Sequence, residues 1–169
     1  AKVVESYYTE GNSVYFTNAV TETYVDQHGS LEHIKIQEES LEAFHISTTE
    51  IDVEQESIYA SYNINFGGKL VRNDLNARFN GEHAHCTLNG LYLVDGQQHI
   101  DNHTLIDHSV PNCESHEMYK GVLNDSGRAV FNGKVFVRKD AQKTNAFQEN
   151  KNVLLSNDAR VDTKTQLEI

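Results

Sequence analysis

Thr87-Leu88-Asn89-Gly90-Leu91-Tyr92-Leu93 returns 43 residues further on as Val130-Phe131-Asn132-Gly133-Lys134-Val135-Phe136, with a weaker echo at Met118-Tyr119-Lys120-Gly121-Val122-Leu123. Self-similarity over tens of residues suggests a solenoid, in which each repeat buries its apolar face against the next. In a parallel β-helix every coil contributes two or three short strands. A repeat of this length then reads as two coils of roughly 20 to 24 residues, with glycine at the bends. The regular hexapeptide repeat of left-handed β-helices is absent, and parallel crossovers are overwhelmingly right-handed. A right-handed parallel β-helix is therefore the solenoid to consider, while a jelly roll or sandwich stays open on periodicity alone.

The flanking text is strand-like throughout. Period-two alternation recurs at Val14-Tyr15-Phe16, Leu31 to Ile36, Phe44-His45-Ile46, Ile51-Asp52-Val53, Ile58 to Phe66, Val135-Phe136-Val137 and Val161-Asp162-Thr163. Gly, Asn and Asp clusters such as Gly67-Gly68, Asp95-Gly96 and Asn124-Asp125-Ser126-Gly127 separate these runs. With one proline and no linker-like stretch, residues 1–169 read as one all-β domain. Lys+Arg of 14 against Asp+Glu of 25 gives a net charge of -11, which argues against a nucleic-acid partner. No apolar run is long enough to cross a bilayer and the start lacks a secretory pattern, so a soluble protein is expected. Cys86 and Cys113 are too few for a disulfide framework and read as free. The first and last residues fall inside strand-like text, as they would in a piece of a longer protein.

Candidate chemistry is sparse. His83-Ala84-His85-Cys86 offers imidazoles and a thiolate of the kind zinc or iron takes, but on a strand Cys86 points away from His83 and His85. His99, Asp101, His103, Asp107 and His108, with Cys113 and His116, form a second cluster. Asp101 and His103 share a strand face, as a general base or as a hydrogen-bonded surface pair, and the latter is favoured. Cys113-x-x-His116 lacks a second ligand pair. Glu38-Glu39, and Asp52 with Glu54 and Glu56, raise the alternative of a polysaccharide-acting β-helix enzyme, although acidic runs are more often solvated faces. No motif nominates an enzyme, so no catalytic, cofactor-binding or metal residue is assigned.

Phe66-Gly67-Gly68-Lys69-Leu70-Val71-Arg72-Asn73-Asp74-Leu75, Leu88 to Leu93, Tyr119 to Leu123, Gly127 to Val137, Asp140 to Thr144 and Val161 to Ile169 resemble, in order, the core domain of the SufB/SufD family, most closely its SufD branch. The likeness is most specific from about residue 60 onward; Thr165 stands where the family usually has proline. The resemblance implies a right-handed parallel β-helix, truncated at both ends here, with the family's flanking helical segments absent. It implies a non-enzymatic, cytoplasmic scaffold in the SUF iron–sulfur cluster assembly complex, pairing with SufB and binding the SufC ATPase in the full-length protein. The cluster belongs to the full complex, and no cofactor is expected in this stretch. The family's interface histidine follows the Gln166 to Ile169 text, so no histidine of this chain is assigned its role. A solenoid cut at its ends exposes strand edges, and self-association of the fragment is expected.

Overall fold

The computed structural model describes residues 1–169. It contains twelve strands and no helix: β1 (Lys2–Tyr8), β2 (Phe16–Val25), β3 (Ser30–Glu38), β4 (Phe44–Val53), β5 (Ile58–Asn65), β6 (Leu70–Phe79), β7 (His85–Val94), β8 (His99–His108), β9 (Glu114–Leu123), β10 (Arg128–Val137), β11 (Asn145–Leu154) and β12 (Arg160–Glu168). Odd strands form one sheet in the order β1-β3-β5-β7-β9-β11, and even strands form the other. Every neighbouring pair is parallel. The chain is a β-solenoid of six coils with two strands per coil, and the expected parallel β-helix is the observed architecture.

The coil length differs from expectation. Register partners range from Phe44 with Leu70 to Arg128 with Arg160, so one turn takes 26 to 32 residues rather than 20 to 24. The 43-residue echo joins β7 in one sheet to β10 in the other, one and a half turns apart. Both sheets face the same interior, so both carry the same inside-outside alternation. Phe44-His45-Ile46 and Ile51-Asp52-Val53 are the two ends of one strand, β4, rather than separate strands.

Each coil turns from the even to the odd sheet through a corner residue with positive φ: His28, Glu56, His83, Asn112 and Lys143, with φ between 53° and 60°. These corners stack, since the His28 N–H donates to Gln55 O, Glu56 N–H to Glu82 O and Asn112 N–H to Gln142 O, each within the next coil. Some glycines sit at bends, but Gly90 and Gly121 lie inside β7 and β9. Gly90 pairs with Tyr119, and Tyr92 with Gly121. A Cβ on either glycine would stand 2.1 Å from the paired tyrosine ring. The absence of a side chain is what lets each ring lie flat over the adjoining coil.

The apolar core is one cluster of 24 buried residues, including Tyr59, Phe79, Leu88, Tyr92, Tyr119 and Phe131, and only Val25 comes from the first fifty positions. In the odd sheet of the early coils the pattern is inverted. His33, Lys35 and Gln37 of β3 and Ser61, Asn63 and Asn65 of β5 are buried, whereas Ile58, Tyr62 and Phe66 are exposed. The solenoid thus has an apolar interior toward its C-terminal coils and a polar, ionisable interior toward its N-terminal coils.

Candidate functional site

The polar interior begins with the inward positions of β1, β3 and β4. Strand alternation points Glu5 and Tyr7, then His33, Lys35 and Gln37, into the space that β4 lines with His45, Ser47 and Thr49. The chain leaves β3 through Glu39, which folds back as a buried carboxylate. His45 Nδ1 donates to Glu39 Oε2 at 2.6 Å, while Thr17 and Gln37 donate to the same carboxylate at 2.6 and 3.0 Å. His33 Nε2 donates to Glu5 Oε2 at 2.9 Å, and the Tyr59 hydroxyl lies 3.3 Å from His33 Nδ1. Tyr7 donates to the other oxygen of Glu5. Lys35 Nζ donates to Ser47 Oγ at 2.5 Å and to Asn73 Oδ1 at 3.1 Å, and it lies 5.3 Å from the Tyr7 ring centroid. Asn73 extends the network to Asn65 at 3.2 Å and to Asn102 at 3.0 Å, spanning coils three and four.

These contacts set the charge states. The bond from His33 holds the Glu5 carboxyl at about 2, well below the usual carboxylate range. Burial works to raise the Glu39 carboxyl, yet the bonds from Thr17, Gln37 and His45 together bring it below its ordinary value. Burial lowers His45, which is therefore held neutral, and its Nε2 has no protein partner. Burial also pulls the Lys35 ammonium down to about 8. Further along the interior Glu117, bonded by Gln148 at 2.5 Å, is pushed up by burial, and His108, beside Ser115 at 2.9 Å, is lowered to about 4 by burial. The result is a line of buried ionisable groups whose protonation is tied to how the coils pack.

The residues singled out from the sequence are dispersed. His83 is the exposed corner residue and His85 faces outward on β7, and they pair with Glu82 at 3.9 Å and Glu114 at 3.7 Å. Cys86 is buried on the opposite side of β7, as the alternation predicts, and burial drives its thiol far above the usual range. Cys113 is also free and buried, its thiol donating to Gly81 O at 3.3 Å, whereas His116 faces out, stacked on Phe147 at 4.7 Å. The C-x-x-H residues therefore point apart. Asp101 and His103 do share the outer face of β8, 2.8 Å apart, where Asp101 also receives Arg72 at 2.8 Å. Asp107 is clamped by Arg138 at 2.7 Å, and His108 is buried. Glu38 is exposed while Glu39 is buried, so the adjacent acids do not flank a common groove. No group of three or more His, Cys, Asp or Glu side chains is arranged to hold a metal ion.

Sequence reasoning missed Glu5, His33, Lys35 and His45. The available signal was that Leu31 to Ile36 alternates polar with apolar residues and so has two possible inward phases. Both outer faces mix ion pairs with exposed apolar side chains: the even sheet carries Arg72 with Asp74 and Asp101 and exposes Phe16, Val20 and Tyr24, and the odd sheet pairs His85 with Glu114 and exposes Tyr62, Leu93 and Met118. Exposed apolar surface of this kind is typically covered in protein–protein contacts.

A family model described as "SUF system FeS cluster assembly, SufBD core domain" matches residues 1–169. An iron–sulfur cluster assembly SufBD family protein of Synechocystis is 36% identical over 155 residues, covering 92% of this chain and 34% of that protein. The iron–sulfur cluster assembly protein SufD of Escherichia coli is 31% identical over 169 residues, 100% of this chain and 40% of that protein. Protein ABCI7, chloroplastic, of Arabidopsis thaliana is 34% identical over 156 residues, 92% of this chain and 33% of that protein. The chain thus spans between a third and two fifths of the length of these relatives.

Proposed function

Because the chain belongs to the SufBD core-domain family of the SUF iron–sulfur cluster assembly system, we propose that it is the platform of a SufD-type assembly protein, acting by protein contact rather than by turning over a substrate. In the full-length protein it pairs with SufB and carries a SufC ATPase, in the cytoplasm. The observation that carries this reading is the family match across all 169 residues, together with 31% identity to a SufD over the whole chain.

The architecture suits the role. Parallel coils give a stiff rod with extended flat faces, and solenoids commonly use such faces for binding. Both faces expose apolar side chains interleaved with ion pairs, the mixture that protein contact surfaces commonly carry. Depleting the protein from its host should lower the activity of cluster-dependent enzymes, and re-expressing the full-length protein should restore it. Unchanged activity of those enzymes after depletion would overturn the assignment.

A further inference from the structure

Lys35 is the only lysine or arginine buried in the interior. Its ammonium reaches Ser47 in its own coil and Asn73 in the next, and no carboxylate stands within ion-pair distance. Beside it lies a cavity of about 10 Å³ lined by His33, Thr49, Ser61, Asn63 and Asp74, room for one water molecule with several polar partners. The titratable groups around Lys35 are Glu5 and Tyr7 from β1, His33 from β3, Glu39 after β3, His45 from β4, Tyr59 from β5 and Asp74 from β6. Glu5 is engaged by His33, Glu39 by His45 and Asp74 by Arg72, so Lys35 bonds only to neutral oxygens, while the charges of Glu5 and Glu39 offset part of the cost of its burial.

We propose that Lys35 and this cavity form a proton-linked latch that holds the first two coils, β1 to β4, on the rest of the solenoid. A charged Lys35 seats a water on its third N–H and the coils open readily; a neutral Lys35 keeps both donor bonds without the cost of a buried charge, and the coils close. Each coil of a solenoid contacts only its neighbours, so a buried charge acts mainly on the coils that flank it. The Lys35–Asn73 bond ties coil two to coil three and lies at the boundary that opens.

The direction follows from linkage. The folded pKa lies below the unfolded one, so between about 8 and 10.5 the opened form binds more protons and closing strengthens as pH rises. From pH 7 to 9.5 the opening equilibrium of β1 to β4 should fall on the order of ten- to thirtyfold, the lower bound allowing for Tyr7 and Tyr59, whose raised values oppose the trend. Hydrogen exchange resolved by mass spectrometry and corrected for intrinsic rates reads this directly, with β7 to β10 as the internal reference. Lys35→Met should abolish this fall, leaving only the smaller opposite rise from Tyr7 and Tyr59. Lys35→Arg, charged at every pH, should abolish the fall as well while leaving the coils open. In the unaltered protein, the ¹⁵N shift of Lys35 Nζ should titrate near pH 8. A fall in opening with rising pH that survives Lys35→Met, a flat wild-type profile, or Nζ titrating above pH 10 would overturn the latch. Should neither variant fold, the Nζ titration decides alone.

Discussion

Replacing Gly90 with alanine isolates the packing that sets the spacing between coils four and five. In an ordinary strand interior Gly→Ala stabilises by about 0.5–1 kcal/mol, because glycine loses the most chain entropy on folding. Here the added Cβ would stand 2.1 Å from Cδ1 and 2.2 Å from Cε1 of Tyr119. Carbon atoms in comfortable contact are about 3.5–4.0 Å apart, so the ring must retreat by more than about 1 Å. Tyr119 has little room: it is 1% exposed and its ring lies 5.0 Å from that of Phe131. Overpacking of this kind costs about 1–3 kcal/mol, which reverses the usual sign. Urea unfolding should show Gly90→Ala destabilised by about 1–2 kcal/mol with an unchanged m-value. Tyr119→Ala alone should cost about 3–5 kcal/mol. The double variant should be more stable than the two single costs predict by at least about 1 kcal/mol, since the new methyl enters space the ring has vacated. A neutral or stabilising Gly90→Ala, or simple additivity, would refute ring-on-glycine packing.

Glu5→Gln should cost about 1–2 kcal/mol at neutral pH, discounted for the exposed part of the carboxylate. Because the folded Glu5 titrates at about 2, its contribution is complete above pH 4.5 and lost as pH falls toward 2, so thermal melts across that window should be flatter in the variant. His45 is depressed by burial, which makes the wild-type protein lose stability as pH falls below 6.5. His45→Gln should reduce the dependence of the urea midpoint on pH between 6.5 and 5, and an unchanged slope would show that His45 is not held neutral. Cys86, buried with a raised thiol value, should react with iodoacetamide at pH 8 at least about a hundredfold more slowly than in the unfolded chain. Comparable labelling rates would place Cys86 outside the core.

Strand content was legible because period-two text and glycine-marked turns are local signals. Those signals fit an antiparallel sandwich equally well, so parallel stacking rested on the distant echo and the SufB/SufD resemblance. Coil length was not legible. The Asn-Gly motifs of β7 and β10 resemble one another because both place glycine beneath a close-packed side chain, Tyr119 in one case and Gln148 in the other. Similar packing in opposite sheets made one and a half turns look like a whole number of coils. The interior of the early coils was hidden for another reason. In Ile58 to Phe66 the apolar residues occupy one face and Tyr59, Ser61, Asn63 and Asn65 the other, and hydrophobicity alone favours the wrong face. The Lys35–Ser47–Asn73 bonds join residues 12 and 38 positions apart, so the partners that make the inverted phase tolerable cannot be read locally. Outward-pointing histidines were more legible: the alternation separated His85 from Cys86 and put Asp101 beside His103.

Native mass spectrometry of the full-length protein co-expressed with SufB and SufC tests the scaffold assignment most directly. The account predicts one stoichiometric assembly containing all three chains. Recovery of this protein alone, beside an intact complex of the other two, would contradict it.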